Sequence, residues 1–191
     1  MDARLRQELE GVLNINKSAG MTSHDVVDEV RRILRIRKVG HTGTLDHQAT
    51  GVLPICVGGA TKIARFLTAA DKEYLIHMKL GIRTDTMDGQ GKILEQKSEI
   101  PQASEEIEKV FSRFRGDIYQ TPPLFSAKKH QGERLYRLAR RGEVVEREPI
   151  QVKVYELELL SYEPPLVHFR VLCSKGTYAR ALCDDMGTAL G

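Results

Sequence analysis

One acidic residue, Asp46, sits inside a run of three glycines and three threonines, GHTGTLDHQATG over residues 40–51. Glycine lets another backbone or a ligand come close. A carboxylate held in such a loop can serve as a nucleophile or a base. Beside it is His41, and just upstream come five cations, Arg31, Arg32, Arg35, Arg37 and Lys38, which suit a polyanionic substrate. Local composition alone also fits an aspartate that merely closes a turn. The loop lacks the Gly-Lys-Ser/Thr ending of a phosphate-binding loop, which argues against ATP or GTP. A second acidic pair, Asp85 and Asp88 beside Arg83, makes at most a partial metal site, because two carboxylates are too few ligands. It reads better as a structural turn, and the sequence offers no convincing metal-ligand cluster.

A second cationic stretch covers residues 120–147. It holds Lys128, Lys129, Arg134, Arg137, Arg140, Arg141 and Arg147 against Glu133, Glu143 and Glu146, with Pro122-Pro123 at its start and the aromatics Phe125 and Tyr136 inside. Cations meet phosphates while apolar side chains fill gaps between everted bases, so the segment suits an RNA-gripping insertion. The plainer reading is a solvated helical face. The formal net charge is only +3, so a nucleic-acid surface has to be a local patch.

The elements that position these residues follow from periodicity. Residues 12–15 read as a short buried strand. Thr22 or Ser23 caps a helix with Val26, Val27, Val30, Ile33 and Leu34 on one stripe. After the 40–51 loop come an apolar strand at 52–57 and a short helix at 61–67. Residues 74–80 alternate, with Tyr74, Ile76, Met78 and Leu80 on one face and His77 and Lys79 on the other. Residues 83–91 form a turn, and 92–96 return as a strand. An amphipathic helix spans 104–115, with Ile107, Val110, Phe111 and Phe114 inward. Two long strands, 150–160 and 166–173, flank Pro164-Pro165, with a bulge near Tyr155 and Glu156. A last helix begins at Thr177 or Tyr178. Strands neither alternate strictly with helices nor form hairpins alone, so the expectation is α+β with a mixed, mostly antiparallel central sheet flanked by helices and loops.

The chain has 191 residues, 41% of them hydrophobic and 29% charged, which fits one globular domain and excludes disorder. No run of about 18 apolar residues could span a membrane. Residues 1–10 carry charges of both signs and no apolar stretch, unlike a secretory signal. Cys56, Cys173 and Cys183 form no CxxC pair and read as buried, reduced thiols, so a cytoplasmic location is expected; separately, the chain is expected to be a monomer.

Residues 40–54, GHTGTLDHQATGVLP, resemble the catalytic loop of the TruB family, the bacterial-type tRNA pseudouridine-55 synthases. Five further stretches agree in order: GVLNINK with TSHDVV at 11–17 and 22–27, DKEY at 71–74, LGIRTDTMD at 80–88, PPLFSAKKHQGERLYRLARR at 122–141, and CSKGTYAR at 173–180. The resemblance spans residues 11–190 and implies a pseudouridine synthase fold with an insertion at about 120–147. It further implies isomerisation of a uridine in the tRNA T stem-loop, with the glycosidic bond broken and remade through C5, a reaction without net redox change or hydrolysis for which no metal or organic cofactor is expected. Asp46 is implied as the essential carboxylate, by covalent addition or by removing a sugar proton. Arg180 is implied to pair with it, Tyr74 to stack on uracil and assist loss of the C5 proton, Tyr178 to contact the target nucleotide, and His41 to wedge into the RNA loop and help evert the base. Lys17 is expected to support the loop or a phosphate. Phosphate contacts are expected from Lys128, Lys129, Arg134, Arg137, Arg140 and Arg141.

Two positions depart from the family pattern. His47 follows Asp46 where proline is usual, and Ser18-Ala19-Gly20 replaces Pro-x-Gly. The chain also stops at Gly191, whereas family members continue with more catalytic-domain sequence and a small PUA-like RNA-binding domain, so it reads as a shortened catalytic domain. Rival classes are an RNA-gripping module without turnover and a metal-dependent phosphoesterase built on Asp85, Asp88 and a histidine. A synthase guided by a separate RNA is a third, although the 122–141 stretch resembles the stand-alone enzymes.

Overall fold

The computed structural model describes residues 9–126, 128–143 and 145–191, and within them every side chain except those of Lys129, His130 and Arg140. The first eight residues, most of the charged N-terminal stretch, lie outside the described residues. The chain divides into two compact units, Met1–Ala70 and Asp71–Gly191.

In the first unit, β1 (Gly11–Lys17), β2 (Val39–His41) and β3 (Gly51–Val57) form an antiparallel sheet in the order β1-β3-β2. Helix α1 (Ser23–Leu34) starts where a capping box forms: Thr22 Oγ1 accepts from Asp25 N (3.1 Å) and Asp25 Oδ2 accepts from Thr22 N (2.7 Å). Its Val26, Val27 and Val30 pack with Val39, Leu53, Ile55 and Val57 into one core. A 3-10 turn, Gly58–Ile63, and α2 (Ala64–Thr68) complete the unit.

Two expectations are corrected here. The strand at 12–15 is an edge strand with Val12 and Leu13 exposed, not a buried one, because only β3 pairs with it. Ile33 is 62% exposed, since it falls at the margin of the helical stripe.

In the second unit, β4 (Lys72–Lys79), β7 (Gly116–Gln120), β10 (Ile150–Glu163) and β11 (Leu166–Cys173) form a sheet in the order β4-β11-β10-β7, antiparallel throughout. The hairpin β5 (Ile82–Thr84) with β6 (Ile93–Gln96) carries the acidic turn. Strand β11 alternates: Val167, Phe169, Val171 and Cys173 are buried while Leu166 and Arg170 face outward. Onto the buried face pack Ile107, Val110 and Phe111 of α3 (Ser104–Phe111) and Leu182 and Met186 of α5 (Ala179–Leu190). The expected bulge is present, with the β10–β11 register shifting between Val154 and Glu156.

The insertion holds a small hairpin, β8 (Lys129–His130) with β9 (Glu133–Arg134), and a short helix, α4 (Leu135–Arg140). Among the described residues no helix is long and apolar enough to cross a membrane.

Candidate active site

The loop after β2 is held by its main chain. Thr42 N donates to Pro54 O (3.1 Å), and Ala49 N donates to Asp46 O (3.1 Å). Ser23 Oγ accepts from Leu45 N (2.9 Å), while the Leu45 side chain packs on the α1 core. One residue further, the Asp46 side chain is exposed. The loop ends at Gly51, whose φ of 119° suits glycine and turns the chain into β3.

Lys17 is not a phosphate contact. It is 1% exposed, and its Nζ donates to three carbonyls: Met21 O (2.8 Å), Ser18 O (3.0 Å) and His47 O (3.3 Å). Gly20 N donates to the same His47 carbonyl (2.9 Å). An ammonium offers three protons, and all three are committed, so Lys17 braces residues 18–21 against residue 47. Burial pushes its pKa down, and the charges of Asp46 and Asp25 oppose that shift. The brace thus also sets a positive charge near the Asp46 carboxylate. His41, half-buried, ends β2 opposite Ile55.

The second unit holds the other expected residues. Tyr74, on β4 opposite Val171, has its ring partly buried against the sheet-and-helix core, as its alternation required. Tyr178 is the residue before α5, and Arg180 lies in the first turn. Arg180 is 14% exposed at its side chain. Its Nη1 donates to Thr86 O (3.0 Å), its Nη2 to Phe125 O (3.0 Å), and the Asp88 carboxylate lies 3.9 Å away. The two carbonyls hold the guanidinium, a planar cation with a rigid fork of donors, in one place.

The acidic turn is structural. Asp85 Oδ1 accepts from Lys92 N (2.8 Å), and Asp88 Oδ1 accepts from Thr86 Oγ1 (2.6 Å) and Gln90 N (3.0 Å). Among the described residues no group of three or more His, Cys, Asp or Glu could hold a metal ion.

The two basic stretches are less available than their sequences imply. Arg31 pairs with Asp28 (3.0 Å) and Arg32 with Glu29 (2.5 Å), leaving Arg35, Arg37 and Lys38 as exposed cations that make no ion pair among the described residues. In the insertion, Arg141 makes a two-pronged pair with Glu133 (2.7 and 2.9 Å) and a third contact with Glu143 (2.6 Å). Through that network Arg141 pins β9 to the end of α4. Arg147 Nη1 donates to Pro122 O (3.0 Å) and ties the ends of the insertion together. Arg134 and Arg137 are exposed; together they hold the Tyr136 phenol below its usual pKa, chiefly through a hydrogen bond from Arg137. Lys128 is half-buried, and the side chains of Lys129 and Arg140 lie outside the described residues.

Sequence reasoning missed two contacts. Arg83 forms a two-pronged pair with Asp184 (both 2.8 Å), fixing α5 to β5, and this pairing raises the Arg83 pKa. Gln120 is fully buried with its side chain on the Tyr178 backbone. Its signal was legible: a polar residue at an inward position of an alternating strand needs partners.

With this geometry in hand, comparison with known proteins defines the class first. A crystal structure of a Cbf5-Nop10-Gar1 complex superposes with a TM-score of 0.73 at 33% identity, covering all of this chain and 47% of that one. An H/ACA ribonucleoprotein bound to a substrate RNA containing 2′-deoxyuridine gives 0.68 at 30% identity, covering all of this chain and 46% of that one. The fold is therefore the α+β fold of pseudouridine synthases. Residues 31–179 match the family described as TruB family pseudouridylate synthase (N terminal domain). The chain belongs to that family. It is 50% identical over 187 residues to tRNA pseudouridine synthase B of Francisella philomiragia, and 48% over 188 residues to the protein of that name from Pseudomonas paraeruginosa. These alignments cover 97% and 98% of this chain, but it spans only 62% of the length of either relative.

Proposed function

We propose that this chain isomerises one uridine in the T stem-loop of tRNA to pseudouridine, acting as a cytoplasmic monomer without a cofactor. The observation that carries the reading is the Asp46 loop: one exposed carboxylate on a backbone pinned on both sides, beside a buried ammonium, within a chain half identical to tRNA pseudouridine synthases.

The chemistry asks little else of the protein. The C1′–N1 bond breaks, the freed uracil turns, and a C1′–C5 bond forms; the C5 proton leaves and N1 gains one. Atoms and electrons balance without oxidant or metal. In this reading Asp46 attacks or deprotonates, and Arg180 pairs with it to keep it ionised and aimed. Tyr74 stacks on the uracil and helps remove the C5 proton, and Tyr178 contacts the same nucleotide. His41 fills the space left by the everted base, offsetting the few kcal/mol of unstacking. Arg134, Arg137, Lys128, Lys129 and Arg140 are assigned to phosphates.

The test is to treat an unmodified tRNA transcript with the chain and map pseudouridine by base-specific chemical adducts and primer extension. A single new stop in the T loop is expected. Scattered stops, or none at any enzyme concentration, would overturn the assignment.

A further inference from the structure

We infer that Gln120 is a positioning residue that locks the start of α5, and with it Tyr178 and Arg180, to the root of the insertion. The inference rests on the function proposed for Tyr178 and Arg180.

Gln120 is the last residue of β7 and has no solvent exposure. Both ends of its amide engage the main chain of one residue: Oε1 accepts from Tyr178 N (2.7 Å), and Nε2 donates to Tyr178 O (3.1 Å). The side chain thereby imitates a strand partner for Tyr178. The Tyr178 N–H precedes α5 and has no acceptor within that helix, so Gln120 satisfies it, while the Tyr178 side chain itself makes no capping bond. The Tyr178 carbonyl also accepts from Leu182 N (3.0 Å), so both of its lone pairs are used. An amide is the uncharged group that can both donate and accept here.

Two residues on from Tyr178, Arg180 Nη2 reaches Phe125 O, five residues on from Gln120. The segment from Gln120 to Phe125 is thus fastened to α5 at both ends, and Arg147 closes on Pro122 O between them. This segment is also the stalk of the cationic insertion. A phosphate grip by the insertion therefore acts directly on the seat of Arg180. A displacement of about 1 Å in a reacting group can cost about 100-fold in rate.

The experiment compares Gln120→Leu, which keeps the bulk and removes both bonds, with Gln120→Glu, which keeps the acceptor for Tyr178 N. Single-turnover rate and tRNA affinity are measured separately, and backbone amide exchange at Tyr178 is followed by NMR. Gln120→Leu should lower the rate about 10–100-fold with affinity within about twofold, and Tyr178 exchange should accelerate about 100-fold. Gln120→Glu should recover part of the rate and part of the protection. Equal losses of rate and affinity, or wild-type rate in Gln120→Leu, would overturn the positioning role. If the unsubstituted chain fails to turn over, the proposed function falls, and the exchange comparison still decides the clasp: unchanged Tyr178 protection in Gln120→Leu refutes it.

Discussion

The loop carrying Asp46 and the helix start carrying Arg180 are held by different kinds of contact. Around Asp46, Lys17 and Ser23 grip the main chain of residues 47 and 45, and the residue between them is exposed. At Arg180 the guanidinium is gripped by the carbonyls of Thr86 and Phe125, and the helix beneath it is tied by Gln120 and by the Arg83–Asp184 pair. In the proposed reaction Asp46 changes its bonding, and a rigid backbone on either side fixes where its carboxylate starts from. A group that supplies only fixed charge gains from being immobile, because preorganised charge needs no rearrangement at the moment of reaction.

That contrast can be broken at several points. Asp46→Asn should leave the fold and tRNA affinity intact and lower turnover by about 1,000-fold or more, measured as product per enzyme under single-turnover conditions. Arg180→Ala should cost about 100-fold in the same assay, since a fixed charge is lost but the carboxylate remains. Lys17→Met tests the brace: it removes three hydrogen bonds from a charged donor and should destabilise the chain by about 2–3 kcal/mol in denaturant titration. A variant as stable as the parent would show that the brace is dispensable.

Smaller effects concern the surface. Replacing Arg134 and Arg137 together by glutamine should flatten the log–log dependence of tRNA affinity on salt by about 1.5 in slope, while Arg141→Gln should change the slope less. Equal changes would mean that Arg141 reaches phosphate despite its two glutamates. The smallest effect is at Asp25, whose carboxyl the Thr22 backbone N–H holds below its ordinary value of 3.8. Because its folded pKa is depressed, it contributes stability at neutral pH that is lost as the pH falls through that depressed value. Asp25→Ala should melt earlier than the parent at pH 7, and the gap should close as the pH is taken downward from 3.8.

Much of the scaffold was legible because its signals are local. The Thr22–Asp25 box, the alternation of 74–80 and the slip near Tyr155 each lie within a few residues of sequence, and the α1, β4 and β10 elements follow. Strand β7 was missed: it opens on Gly116, spans five residues, and exposes Tyr119 on its outer face. Among site residues, the Asp46 loop stood out by composition, but Arg180, Tyr74 and Tyr178 gained their roles from resemblance. At Lys17 and Arg141 a sequence gives charge without partners, so loop support at Lys17 could not be told from a phosphate contact, nor the glutamates at Arg141 foreseen. Each is balanced by groups that folding brings near, the Lys17 ammonium by three carbonyls and Arg141 by two glutamates.

The most direct measurement is tritium release from a tRNA transcript labelled at uracil C5, with enzyme in excess and EDTA present. One tritium per tRNA should be released by the unsubstituted chain and none by Asp46→Asn on the same timescale. Release by Asp46→Asn at the parent rate would contradict the assignment of the chemistry to Asp46.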